Sequence, residues 1–186
     1  MEHLRFVNAT AREHFSAMSL IHALGWRTTY QDAVPADFMA ENVTDDHWTV
    51  PFETDFLEKR CQGILLYRDD VPVACATYGA ARVNAPQNDG NLCHFSSAGY
   101  EGWGEVRSFY AHPDEKHKGY GSALMEEILG RLKAEGYRHV YVLVLRENEN
   151  ARHFYAACGF AHDGTEEKIP FPDGTICVDL RYTRVL

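Results

Sequence analysis

Residues Gly104–Gly130 read GEVRSFYAHPDEKHKGYGSALMEEILG, and this stretch decides the fold. Its first part, Glu105–Ala111, alternates apolar and polar residues as a half-buried strand does. After a polar turn the period changes, because Leu124, Ile128 and Leu132 recur every four residues and mark one face of a helix. The stretch therefore predicts a strand, a turn and a helix in that order.

The predicted turn places Gly119 and Gly121 at the start of the helix. The first amides of a helix lack intrahelical acceptors and lie at the positive end of the dipole, so they bind anions, and glycine lets a ligand approach closely. A Walker loop would need Lys where this chain has Ser122, and a dinucleotide fingerprint would need Gly where it has Leu124. What remains is a different phosphate-binding candidate, Lys116-x-x-Gly119-x-Gly121. Its structural alternative is a tight turn that lets the helix pack against the sheet.

The composition is that of one globular domain spanning residues 1–186. The chain is 45% hydrophobic and 24% charged, and its 18 basic and 27 acidic residues give a formal charge of -9. Because a nucleic-acid binder needs a basic face, this balance argues against nucleic acid and is compatible with a cationic substrate such as an amine. We expect no membrane span, since no apolar run is long enough, and no signal peptide in Met1–Thr10.

The cysteines are odd in number and lack C-x-x-C spacing, which is typical of free thiols in a reducing cytoplasm. They are Cys61, Cys75, Cys93, Cys158 and Cys177. The free thiols lead us to expect a cytoplasmic protein. No set of cysteines and histidines has zinc spacing, so we also expect no bound metal.

The rest of the chain adds helices and strands on both sides of the central stretch. Thr10 is predicted to cap a helix that ends at Gly25, with Glu13 as its capping-box partner. Apolar patterns and turn residues further predict a hairpin from Gly63–Tyr67 and Val71–Tyr78, a loop at Ala80–Gly99, a buried strand at His139–Leu145, a short helix at Asn148–Cys158 and a last strand at Thr175–Thr183. The pattern therefore indicates a mixed α/β sheet covered by helices.

Two motifs occur in order along the chain. The first, Lys116-x-x-Gly119-x-Gly121, is similar to [Q/R]-x-x-G-x-[G/A], the coenzyme A-binding pattern of the GNAT superfamily (GCN5-related N-acetyltransferases), with Lys in place of Gln or Arg. The second is similar to that family's N-x-x-A-x-x-[F/L]-Y-x-x-x-G-F, and it reads Asn148-x-x-Ala151-x-x-Phe154-Tyr155-x-x-Cys158-Gly159-Phe160. The resemblance implies the GNAT fold, in which a mixed, mostly antiparallel central sheet is flanked by helices and splays apart at its central strands.

The resemblance also implies acetyl-CoA as the co-substrate. In the family, the pyrophosphate lies on the turn before the helix, and the pantetheine arm pairs with the central strand as an added strand would. The positions that match these roles here are Phe109, Tyr110, Ala111, Lys116, His117, Lys118, Gly119, Tyr120, Gly121, Ser122, Asn148, Ala151 and Tyr155.

Acetyl transfer to an amine requires a group that removes the amine proton and a group that protonates the departing thiolate. Glu105 is the candidate base, because the histone acetyltransferases of the family have a glutamate at the matching place. The alternative is that Glu105 positions the amine without exchanging a proton. Tyr155 is the candidate acid, since the family places a tyrosine near the coenzyme sulfur. Its alternative is an aromatic that packs beside Phe154.

The segment Trp26–Met39 clusters aromatic residues around Pro35, and the resemblance assigns it to the wall of the acceptor site. The alternative is that these aromatics only pack under a mobile connection. We expect Trp26, Tyr30 and Glu105 to contact the acceptor. The implied function is transfer of an acetyl group from acetyl-CoA to the primary amine of a small molecule or peptide, by direct attack in a ternary complex. A non-catalytic acyl-CoA sensor of the same fold is the alternative, and the sequence leaves the acceptor and a homodimer open.

Overall fold

The computed structural model describes residues 3–82 and 99–186, which form one mixed seven-stranded sheet in the order β1-β2-β3-β4-β5-β7-β6. Only the β4–β5 pair is parallel, and every other neighbouring pair is antiparallel. The predicted mixed, mostly antiparallel sheet is therefore confirmed. The strands are β1 (Leu4–Asn8), β2 (Gln62–Arg68), β3 (Val71–Ala80), β4 (Gly104–Ala111), β5 (His139–Leu145), β6 (Ala161–Pro170) and β7 (Ile176–Val185).

Helices cover both faces of this sheet. They are α1 (Arg12–Thr29), α2 (Ala36–Asn42), α3 (Thr49–Leu57), α4 (Tyr120–Ala134) and α5 (Glu149–Ala157), with a short 3₁₀ helix at Pro113–Glu115. Side chains alternate along each strand, so β2 sends Ile64 and Leu66 to the α4 face and Leu65 to the α1 face. Each face thus has its own buried core.

The two central strands separate soon after they meet. β4 and β5 pair only at Gly104–Val106, whereas β4 stays paired with β3 as far as Ala111. A bulge at the branch point leaves Arg107 without an opposing residue on β3. The sheet therefore contains a wedge-shaped gap between the second half of β4 and the second half of β5, as the predicted splay requires.

The first helix differs from the prediction at both ends. It begins at Arg12 with Ala11 as N-cap, because the Ala11 carbonyl accepts the first helical bonds, and no side-chain cap is present. The Thr10 amide donates instead to Nδ1 of His14 at 3.3 Å. The helix also continues beyond Gly25 to Thr29. A β-carbon on Gly25 would lie 2.4 Å from the Tyr110 ring, so this glycine allows close helix–sheet packing and does not end the helix.

The other predicted elements are confirmed with small changes at their ends, including the hairpin, α5 and β5, which spans its predicted bounds. The predicted loop Ala80–Gly99 begins with a residue that belongs to β3, and most of it lies outside the described residues, as does Cys93. The described cysteines are free thiols. Within residues 3–82 and 99–186, no cluster of three or more His, Cys, Asp or Glu side chains could hold a metal ion. None of the helices in these ranges is long and apolar enough to cross a membrane.

Candidate active site

The turn before α4 has the backbone of an anion site. Gly119 is the N-cap and adopts φ +86, a left-handed conformation that favours glycine, and its lack of a side chain leaves the first turn without a side-chain cap. The residue His117 also has a positive φ, of 63. Lys116, His117 and Lys118 are exposed, with Lys118 Nζ 2.8 Å from Oε2 of Glu115. The helix dipole and three nearby basic or titratable side chains thus converge on this turn.

Gly121 lies next to two aromatic side chains of the core. A β-carbon there would lie 3.4 Å from the Phe154 ring and 3.8 Å from the Phe109 ring, so the first turn of α4 rests directly on these two aromatics. Tyr120 is buried in the core beneath the turn, whereas Ser122 is exposed at the third helical position. The packing interpretation of this turn and the anion-binding interpretation are therefore compatible at Gly121.

The gap between β4 and β5 exposes backbone groups of β4. His112 donates its amide to the Val73 carbonyl at 2.9 Å, and antiparallel pairing directs alternate residues toward the partner strand. By this alternation, the amides of Phe109 and Ala111 face away from β3 and into the gap. This edge can pair with an extended ligand in the manner of an added strand.

Asn148 and α5 form the far side of the gap. The Asn148 side chain caps α5 by accepting the Ala151 amide at 3.1 Å. Tyr155 lies on the same helix and is buried, with its ring packed edge-on against Phe154 and Phe160. Burial is the main reason that the pKa of the Tyr155 phenol is well above its ordinary value, and the nearby Tyr30 adds to the rise.

Three tyrosines meet where the gap opens. Tyr110 stacks on His22 of α1 with ring centres 4.2 Å apart, and Tyr30 meets Trp26 edge-on at 5.1 Å. Burial raises the pKa of Tyr30, and hydrogen bonding with Tyr110 and Asn148 opposes that rise. Burial also raises the pKa of Tyr110 well above its ordinary value, and the nearby Tyr30 and Tyr155 raise it further. We call Tyr30, Tyr110 and Tyr155 the tyrosine cluster.

Trp26 and Tyr30, two of the three predicted acceptor residues, contact each other beside this opening, whereas Glu105 does not belong to this aromatic group. Trp26 also lines a cavity of about 630 Å³ beside α2. Its walls combine aromatic and acidic side chains, namely Trp26, Phe38, Trp48 and Phe171 with Asp37, Glu41 and Asp173. Aromatic faces and carboxylates both attract cations, so the cavity suits a positively charged organic group.

Glu105 occupies a different setting from the tyrosine cluster. Its side chain is 1% exposed, and Arg82 binds it with its backbone amide at 3.0 Å and with Nε at 2.9 Å and 3.1 Å. The Nη2 group of Arg82 forms a further short contact, and Nε of Arg107 lies 3.8 Å away. The carboxylate is thus surrounded by two guanidinium groups. Both carboxylate oxygens accept hydrogen bonds from Arg82, so the partners of Glu105 are supplied within the protein.

Asp179 of β7 is a site residue that the sequence reasoning missed. It lies opposite Leu145, on the sheet face that packs against Tyr30 and carries Tyr110. The pKa of Asp179 is raised to about 7, mainly by burial. Arg82 opposes this rise, and the negative charges of Glu147 and Glu167 add to it. The available signal was an acid inside the strand pattern TICVDLRYT, two residues from the buried Arg181 on the same face.

Comparison with known proteins identifies the family. The Acetyltransferase (GNAT) family matches residues 24–160, which is most of the chain. The chain belongs to the GNAT acetyltransferase family. The predicted family and fold are therefore confirmed. A comparison with curated protein sequences returned no match.

Solved structures with the GNAT fold superpose over nearly the whole chain. The paiA N-acetyltransferase of Thermoplasma acidophilum, in complex with coenzyme A, has a TM-score of 0.73 at 14% identity, covering 99% of both chains. An N-acetyltransferase of Staphylococcus aureus Mu50 has a TM-score of 0.68 at 20% identity, covering 98% of both. The yncA protein of Salmonella typhimurium, with its cofactor acetyl-CoA, has a TM-score of 0.66 at 15% identity, covering 98% of this chain and 94% of that one. At these identities the likeness shows the fold alone.

Proposed function

We propose that the protein is an acetyl-CoA-dependent N-acetyltransferase that acts on a primary amine of a small molecule or peptide. The observation that carries this proposal is the β4–β5 gap, which has the anion-binding turn of α4 at one side and Tyr155 and Asn148 at the other. Structures of similar fold hold coenzyme A or acetyl-CoA, which supports the same ligand here.

The residues present fit the coenzyme. The exposed turn Lys116–Ser122 would hold the pyrophosphate through backbone amides, since the left-handed Gly119 has no atoms within 4 Å of the place where a β-carbon would stand. The β4 edge at Phe109–Ala111 would pair with the pantetheine amides, and Asn148 and Ala151 would border them from α5. When bound, acetyl-CoA supplies an acetyl group activated as a thioester.

Tyr155 is suited to protonate the departing thiolate. A phenol with a raised pKa stays protonated at neutral pH, so its O–H can donate a hydrogen bond to the sulfur while negative charge develops there, and the proton moves as the thiolate departs. The ring is fixed by Phe154 and Phe160, which holds the hydroxyl in one place. The acid role is therefore compatible with the burial that the packing alternative would also require.

The acceptor would enter from the α1 face, past Trp26 and Tyr30. The adjacent cavity carries the acidic side chains Asp37, Glu41 and Asp173, which favour a protonated amine over an anionic or neutral alcohol acceptor. Since the coenzyme and the acceptor approach the gap from different sides, both can be present together, and we propose direct attack in a ternary complex.

The test is a panel of amines assayed with acetyl-CoA by release of free thiol. The panel contains polyamines, aminoglycosides, amino acids and peptides with free N-termini. We expect release that depends on both substrates, with intersecting double-reciprocal plots for the ternary mechanism. Tight binding of acetyl-CoA in calorimetry without thiol release from any amine would contradict the enzyme and support the acyl-CoA sensor.

A further inference from the structure

Asp179 lies at the meeting point of several elements. The β7 residue two positions earlier, Cys177, faces the same side and donates its thiol to the Ala33 carbonyl at 3.3 Å, which fixes the segment after α1 against β7. Tyr30, three residues before Ala33, packs on the same apolar cluster as Leu145, the residue opposite Asp179. Asp179 is therefore held beside Tyr30 at the end of the sheet where the β4–β5 gap is widest.

The polar contacts of the Asp179 carboxylate differ from those of Glu105. Among residues 3–82 and 99–186 it forms no hydrogen bond or ion pair, in contrast to Glu105, which Arg82 surrounds. The next inward-facing residue on β7, Arg181, is bound to Asp163 at 2.9 Å. A partly buried acid that forms no direct ion pair carries a desolvation cost that a cationic ligand would offset.

Charged and titratable groups face Asp179 from each neighbouring element. These groups are Tyr30 after α1, Arg82 after β3, Glu147 after β5, Tyr155 of α5 and Glu167 of β6. Only Arg82 contributes a positive charge, so the net charge around Asp179 is negative. This environment disfavours a second negative charge and favours either a proton on Asp179 or an ammonium group beside it.

We propose that Asp179 binds the ammonium group of the acceptor and takes its proton before the amine attacks; this inference rests on the proposed acetyltransferase function. The step converts R–NH3⁺ and the Asp179 carboxylate into R–NH2 and the neutral acid. The nitrogen then forms a bond to the acetyl carbon, the carbon–sulfur bond breaks with its electron pair on sulfur, and Tyr155 protonates the thiolate. The nitrogen loses a second proton to water, Asp179 releases its proton to water and Tyr155 takes one back, so that the products are a neutral amide, a thiol and one proton in solution.

The two proposed proton transfers involve neighbouring groups, Asp179 and Tyr155. Tyr155 is close enough to Asp179 for the carboxylate charge to raise the pKa of the phenol. An amine bound at Asp179 would therefore lie next to Tyr155, which protonates the sulfur. A carboxyl with a pKa of about 7 is ionised in a useful fraction at neutral pH and is a stronger base than an ordinary aspartate.

The experiment compares Asp179→Asn with Glu167→Gln, which removes the same charge directly across the β6–β7 ladder. With the most active amine of the panel, we expect Asp179→Asn to lower kcat/KM by roughly 10²-fold or more and to abolish the acidic limb near pH 7, while coenzyme affinity stays unchanged. Glu167→Gln should keep activity within about twofold and move the limb slightly to lower pH, because a nearby negative charge is removed. Asp179→Glu should retain the limb.

A carboxyl-resolved NMR titration of the wild type and Asp179→Asn provides a readout independent of turnover. One aspartate signal, missing in the variant, should titrate near pH 7 and shift to lower pH when the same amine is added. A wild type that releases thiol while Asp179→Asn keeps both its rate and its acidic limb would overturn this inference and leave the proposed function intact. An ordinary aspartate pKa for that signal would also overturn it. A wild type inactive with every amine overturns the proposed function itself.

Discussion

Arg82 and Glu105 form a buried ion pair in which the arginine uses its backbone amide as well as its guanidinium. The amide lies 3.0 Å from Oε2, and Nε lies 2.9 Å from Oε1. The two residues belong to neighbouring segments near the branch point of the sheet, where β4 leaves β5. The ion pair therefore holds Glu105 close to the point where β4 and β5 separate.

This pair leads to a prediction for Glu105→Gln. Since the lone pairs of Glu105 are already directed at Arg82, we expect the variant to lose about 2–3 kcal/mol of unfolding free energy, because the hydrogen bonds of a partly buried ion pair lose one charge. The acidic limb of the pH–rate profile should stay in place. Urea unfolding and kcat/KM against pH check this. If the limb vanishes while the stability is unchanged, Glu105 is the base, as the sequence resemblance implies.

A second prediction concerns the hydroxyl of Tyr155. Tyr155→Phe keeps the ring that packs on Phe154 and Phe160, so the unfolding free energy should change by less than about 1 kcal/mol. We expect kcat to fall by roughly 10²-fold, with KM for acetyl-CoA little changed. The loss should shrink with an acyl donor whose leaving thiol is more acidic, since that thiolate needs less help. Full activity in Tyr155→Phe would make Tyr155 a packing residue.

A third prediction compares two glycines of the α4 region. Gly119→Ala forces a side chain into φ +86, which costs roughly 1–2 kcal/mol and distorts the turn. We expect its affinity for coenzyme A to fall about tenfold or more in calorimetry. Gly130→Ala is the matched control, because Gly130 is helical and a β-carbon added there would meet no atom within 4 Å. It should bind normally and gain up to about 1 kcal/mol of stability. Equal affinities for the two variants would argue against the phosphate turn.

A fourth prediction follows from His22, which stacks between Trp48 and Tyr110 and is buried. Burial, with a smaller effect of His47, lowers the pKa of His22 to about 3. Below the ordinary histidine pKa of about 6.5 the unfolded chain binds a proton that the folded protein excludes, so the free energy of unfolding falls as the pH decreases from there toward about 3.

The variant His22→Phe should weaken this acid sensitivity while it keeps the aromatic stack. Between about pH 7 and pH 4 we expect the wild type to lose up to roughly 3 kcal/mol more unfolding free energy than the variant. Urea titrations at the two pH values measure the difference. Parallel losses in both proteins would mean that His22 is protonated in the folded state.

The elements around the phosphate turn could be predicted because their signals are local. The change from a strand period to a helix period around Gly119 lies within one short stretch, and Asn148 caps the helix that directly follows it. The start of α1 was predicted wrongly, because a capping-box pattern at Thr10 cannot reveal that the Ala11 carbonyl begins the helix. Gly25 has the sequence pattern of a helix end, but it lies inside α1, where its missing side chain makes room for the Tyr110 ring.

The polar part of the site depends on contacts between distant segments. The Arg82–Glu105 ion pair joins two segments far apart in the chain, and the position of Asp179 beside Tyr30 depends on the register of β5 with β7. A single sequence gives the alternation of a strand, but it does not state which neighbouring strand supplies the opposite residue. The family motifs therefore predict the coenzyme side of the site, whereas the surroundings of Asp179 are apparent only from the structure.

Acetyl transfer to an amine in the β4–β5 gap can be followed with a labelled donor. The protein is incubated with acetyl-CoA carrying a deuterated acetyl group and with the amine panel, and the products are analysed by mass spectrometry with fragmentation. We predict that the intact labelled acetyl group appears on the nitrogen of one class of amine, and that Tyr155→Phe forms this product far more slowly. If the label appears only as free acetate, or remains on coenzyme A with every amine, the account of the protein as an N-acetyltransferase is contradicted.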